Sequence, residues 1–160
     1  MRKFVRYSLI VGVVIALLVL LYDAMGVIRW IGSTELTIEF VVTDAQTGQP
    51  LPGAEVYLEA ESGWDFEGNE RSLRVTADAE GRVRRGIPNN TCVGSCSNLR
   101  LLRDTRAVYV PSWRVTCRAS GYQENDPFWL PELPHRQNVR QVGPRKDILI
   151  VPIALRKAAP

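Results

Sequence analysis

The stretch "TIEFVVTDAQTGQPLPGAEVYLEA", Thr37 to Ala60, constrains the fold more than any other part of the chain. Leu36, Ile38, Phe40 and Val42 alternate with Thr37, Glu39, Val41 and Thr43. A period of two over eight residues predicts a half-buried strand. Ala54, Val56, Leu58 and Ala60 alternate with Glu55, Tyr57 and Glu59, which predicts a second strand. Between them stand Asp44, Gly48, Pro50, Pro52 and Gly53. Asp caps its own backbone, Gly admits positive φ, and each Pro fixes φ near about −65° while removing a donor. The corner therefore ends one strand, bends twice and starts another in a fixed register. It is longer than a two-residue hairpin loop, so the two strands need not be neighbours.

The same period returns further on. Leu73 and Val75 predict a short strand, Asp78–Gly81 a turn, and Val83 with Ile87 the return. In "WRVTCRASGY" Trp113, Val115, Cys117 and Ala119 share one face, and Arg114, Thr116, Arg118 and Ser120 the other. "DILIVPIALRK" places Leu149, Val151, Ile153 and Leu155 on one side, with Pro152 demanding an edge or a bulge. No amphipathic helix of useful length appears after residue 32. Short strands between turn signals predict an all-β fold, a sandwich or barrel, over residues 33–160. Two long pieces, 88–112 and 123–146, interrupt the pattern as insertions, and loops of that length tend to be functional. "SNLRLLRDT" within the first suits a turn or two of helix.

The N-terminal segment, residues 1–32, has a different character. Arg2, Lys3 and Arg6 precede the uncharged run Tyr7–Tyr22. Those 16 residues span about 24 Å as helix, short of the ~30 Å hydrocarbon core of a bilayer. Extension to Ile28 gives a span over 7–28, of adequate length if Asp23 reaches the headgroups and Tyr22 and Trp30 sit at the interface. The segment is thus expected to be a single-pass signal anchor, with the basic flank in the cytoplasm and the domain outside it. The alternative is a secreted or periplasmic protein cleaved near Gly26, where "AMG" approximates the small-residue site.

The net charge of +3 conceals an asymmetry. Residues 34–81 hold 11 acids and 2 arginines, a balance of −9, and residues 82–118 hold 8 arginines against Asp104, a balance of +7. Attraction between two faces of one domain accounts for this. A functional reading makes Arg100, Arg103 and Arg106 a basic patch for an anionic ligand or surface. Nucleic acid is not expected as a partner of a domain outside the cell.

Three pieces resemble the carboxypeptidase regulatory-like domain, a transthyretin-like (prealbumin-like) Greek-key β-sandwich: "VVTDAQTGQPLPGAEVYLE", "TADAEGRVRRGIP" and "VTCRASGYQE". The resemblance covers about residues 35–155. It implies a D-x-x-T-G-x-P-x-x-G-A turn between two strands, a second turn around Gly81, and a strand ending in Gly121–Tyr122. Such modules are typically appended to enzymes, receptors and surface proteins, which leaves the role of this one open. Related sandwiches include intradiol dioxygenases, which bind iron through two tyrosines and two histidines, and hydroxyisourate hydrolases, which rely on several histidines. This chain has one histidine, His135, in a proline-rich loop. A histidine-based metal or triad site is therefore short of ligands, and no catalytic residue, metal or cofactor is expected.

Cys92 and Cys96, in "TCVGSC", are candidates for a disulfide at the base of the first insertion. Cys117, on the apolar face beside Val115, reads as a buried free thiol. Trp64, Phe66, Phe128 and Trp129 fall in loops, where they either close the ends of the sandwich or stack against a ligand. "NNT", Asn89–Thr91, fits a glycosylation sequon. The expectation is a membrane-tethered, extracytoplasmic module with a non-enzymatic structural or protein-interaction role and a protein or cell-envelope partner. The alternative is a binder of glycans or cell-wall polymer through those four aromatics, and an enzyme stands third.

Overall fold

The computed structural model describes residues 2–24, 27–61, 71–96, 105–132 and 139–158. A helix, α1 (Arg2–Ala24), precedes β1 (Val27–Asp44), β2 (Glu55–Ala60), β3 (Ser72–Thr76), β4 (Arg82–Cys96), β5 (Thr105–Val108), β6 (Trp113–Arg118) and β7 (Phe128–Trp129). A single 3-10 turn, Leu130–Glu132, leads to β8 (Val139–Gly143) and β9 (Lys146–Leu155). The chain divides into two units, Met1–Gly32 with Thr91–Ala107 and Ser33–Asn90 with Val108–Pro160.

The second unit is the β-sandwich. One sheet has the order β5-β4-β1-β9-β8 and the other β3-β2-β6-β7. The alternation read from the sequence is the core: Leu36, Ile38, Phe40 and Val42 of β1 and Leu149, Val151, Ile153 and Leu155 of β9 are all buried. They form one cluster with Val56 and Leu58 of β2 and Trp113, Val115 and Cys117 of β6. β2 pairs antiparallel with β3 and β6 and not with β1. The 44–53 corner thus carries the chain from one layer to the other, as its length allows. β1 and β9 run parallel, from Glu35 beside Lys146 to Asp44 beside Leu155. Pro152 lies past the stretch Lys146–Leu149 that β8 covers. Among the described residues β8 does not reach Pro152, so on that side its missing N–H leaves no ladder bond to β8 unmade.

The expected membrane anchor over 7–28 is not what the chain forms. The described helix runs to Ala24 and Val27 already begins a strand, so the last residues of the expected span, Val27 and Ile28, are β-structure. Asp23, which would have had to reach the headgroups, is fully buried. Among the described residues no helix is long and apolar enough to cross a membrane.

The Cys92–Cys96 ring is not formed either. Both residues lie on β4, and four residues of strand span about 13 Å, well beyond the ~7 Å that a disulfide bridges. Cys92 and Cys117 are free, buried thiols, and burial pushes Cys117 up to about 11. The insertions, too, hold more strand than expected. β4 continues through "PNNTCVGSC", and β7, the 3-10 turn and β8 occupy much of 123–146.

Candidate functional site

The carboxylate of Asp44 organises the corner. It accepts the backbone N–H groups of Gln46 at 2.7 Å and Thr47 at 2.9 Å. Tyr122, in the Gly-Tyr that follows β6, donates its hydroxyl to the other oxygen at 2.9 Å. The Thr47 and Gln46 amides, with the Tyr122 hydroxyl, hold Asp44 down at about 2, and the same contact raises Tyr122. Gly81, at φ 69°, closes the third side. Its carbonyl accepts the Val42 N–H at 2.8 Å. The three pieces that carry the family resemblance therefore meet at one place.

A pH dependence follows from the Asp44 contacts. The folded value lies below the ~3.9 of a free Asp, so this carboxylate stabilises the fold in full above about pH 4 and loses its contribution as pH falls towards 2. Melting curves from pH 6 down to pH 2 should show a smaller acid loss in Asp44→Asn than in the wild type. Equal losses would remove Asp44 from the acid response.

On the outer side of the five-stranded sheet, Glu39 is almost wholly buried between Arg82 and Arg84, the latter donating Nε at 2.8 Å. Burial raises its pKa, but the two guanidiniums more than offset this and leave it lowered. On the outer face of the other sheet, Glu55 takes Arg118 at 2.7 Å together with Arg74 and the Tyr57 hydroxyl. The Arg118 and Arg74 guanidiniums lie 4.8 and 5.5 Å from the centre of the Tyr57 ring. Arg114 faces Glu59 at 3.9 Å. Most of these pairs join the acidic segment 34–81 to the basic segment 82–118, so part of the charge asymmetry is internal pairing. Exposed pairs of this kind contribute about 0–1 kcal/mol each.

One polar feature was missed from the sequence. Thr34 Oγ1 donates to Asp147 Oδ2 at 2.5 Å, with both residues buried. The signal was available: Thr34 has the parity of Leu36 and Asp147 that of Leu149, so each occupies a core position of its strand.

Of the residues expected to carry function, only some are among the described ones. Phe128 and Trp129 form β7 instead of a loop. Phe128 pairs with Val115 and packs on the core, and Trp129 stands opposite Arg114. Arg106 is on β5, exposed. Trp64, Phe66, Arg100, Arg103 and His135 lie outside the described residues. Among the described residues no group of three or more His, Cys, Asp or Glu could hold a metal.

No family model and no curated protein matches the chain. Solved structures do. The 3-chlorocatechol 1,2-dioxygenase of Rhodococcus opacus 1CP aligns with a TM-score of 0.51 at 12% identity, over 79% of this chain and 61% of its own. Catechol 1,2-dioxygenase of Pseudomonas arvilla C-1 aligns at 0.46 and 18%, over 79% and 53%. An intradiol ring-cleavage dioxygenase of Tetranychus urticae aligns at 0.45 and 12%, over 78% and 81%. The chain spans between half and two thirds of the first two enzymes. The Rhodococcus enzyme shares its fold. The expectation of a non-enzymatic interaction module, with glycan or polymer binding as its alternative, is contradicted by the Rhodococcus neighbour, which is an enzyme.

With one histidine in the sequence, the two-tyrosine, two-histidine ligand set cannot be assembled from one chain. The tyrosines of the sandwich are placed for other work. Tyr122 is bonded to Asp44, Tyr57 is bonded to Glu55 between two arginines, and Tyr109 is exposed.

Proposed function

We propose that the chain is a carboxypeptidase regulatory-like, transthyretin-like sandwich that is exported from the cytoplasm and serves an enzymatic process there, by a chemistry other than iron-dependent ring cleavage. The convergence of Asp44, Gly81 and Tyr122 at one corner supports the family reading, because it gives each of the three sequence pieces a structural task. Export is supported by the basic start, by the apolar run, and by where the elements break. Cleavage after Gly26 falls between the end of α1 at Ala24 and the start of β1 at Val27, and so removes no strand residue. The resemblance adds that such modules accompany enzymes. Catechol enters only as a probe, since the solved structures of like fold are named for it.

Two measurements test this. Expression of the full chain in an exporting host, followed by intact mass, should give an extracytoplasmic product beginning at Val27. A full-length product confined to the cytoplasm overturns export. The same protein, supplied with ferric iron, should leave catechol unconsumed, and ring cleavage would overturn the chemical part of the reading.

A further inference from the structure

β1 begins nine residues before the apolar alternation does, and one contact explains how its first residues are held. A Cβ built on Gly94 of β4 would lie inside the indole of Trp30, overlapping Nε1, Cε2 and Cζ2. The ring is therefore laid flat against bare backbone, an approach that only glycine permits. Gly32 sits beside it: a Cβ there would lie 3.3 Å from Trp30 Cζ3 and 3.8 Å from Cys92 Sγ. Trp30 remains 47% exposed, whereas Cys92 is 2% exposed. An aromatic ring covering a glycine on an adjoining strand restores the packing that the glycine lacks and pins the pairing.

We propose that Trp30 on Gly94 is a clasp that keeps Val27–Gly32 in the sheet and the Cys92 thiol covered. On the export reading above, it is what makes the mature chain begin inside the sheet instead of as a loose tail. The first residue after the cleavage point is only three positions from the ring. Isoleucines alone would not hold the segment: Ile28 is 60% and Ile31 72% exposed.

The test uses the full chain and its exported product, with Gly94→Ala, Trp30→Ala and the partial rescue Trp30→Phe. Hydrogen exchange of amides 28–32 and iodoacetamide labelling of Cys92, resolved by peptide mapping, are read beside amides 36–42 as control. Both alanine variants should speed exchange and labelling by at least about tenfold with the control amides unchanged, and Trp30→Phe should fall between. Wild-type rates in both variants overturn the clasp. If Gly94→Ala also loses control protection, Trp30→Ala, which adds no atom, decides. A full-length product confined to the cytoplasm ends the export reading and leaves the clasp standing.

Discussion

Gly81→Ala is expected to lower the melting temperature by on the order of 10 °C, the largest effect of any single added methyl group in the sandwich. Two terms combine. At φ 69° an L-residue is disfavoured by about 1–2 kcal/mol. The new Cβ would also stand 2.6 Å from Val42 O and 2.9 Å from Leu51 N, both backbone atoms that cannot swing aside. Either β1 or the corner must shift. The shift disturbs the bonds Val42 N–H to Gly81 O at 2.8 Å and Leu51 N–H to Val42 O at 3.0 Å, each worth about 1 kcal/mol. The controls are built in. Gly48 and Gly53 have φ of 69° and 76° and nothing within 4 Å of a built Cβ, so their alanine variants carry the conformational term alone. Thermal melts of the three variants should rank Gly81 well below the others, and three equal falls would refute the steric argument.

Trp113→Ala should be of similar size for a different reason. Trp113 is the largest fully buried side chain, at 1% exposure, and its removal leaves a cavity between the layers. Losses of this kind run to about 3–5 kcal/mol, a large share of the ~5–15 kcal/mol that stabilises a typical domain. The urea midpoint should fall by roughly 2 M. Trp113→Phe, which keeps much of the volume, should fall by well under half of that. Equal midpoints for the wild type and the alanine variant would mean the core is not where the burial pattern puts it.

The fold was legible wherever one strand face meets the core. β1 from Leu36 onward, β2, β6 and β9 were all readable as period two, although β9 lies between β1 and β8 and not at the edge that Pro152 suggested. What could not be read has specific causes. Asp23 is the only charge between the apolar run and Ile28, so the run was extended across it as helix and the start of the strand was lost. β4 beyond Pro88 is made of small and polar residues that show no alternation. That also misled the cysteine argument, because four-residue spacing suits a ring only off a strand. The candidate site was less legible still. Asp44, Gly81 and Tyr122 were visible as turn residues, but nothing in their spacing shows that they touch. Thr34 and Asp147 were hidden because a lone polar residue at a core position reads as the end of the pattern.

The parallel pairing of β1 with β9 has a consequence for how the chain comes into being. Thr34 and Asp147 are 113 positions apart, yet they bond to each other. A nascent chain leaving a ribosome or a translocation channel presents β1 first. The flank of β1 that β9 will occupy stays open until Lys146–Leu155 have emerged. Closure of so long a loop comes late and slowly. Over that interval an apolar strand with a bare side is a template for the wrong neighbour. The sandwich is thus committed to the synthesis of β9 before it can finish folding, and a holding chaperone has its natural target in residues 36–42.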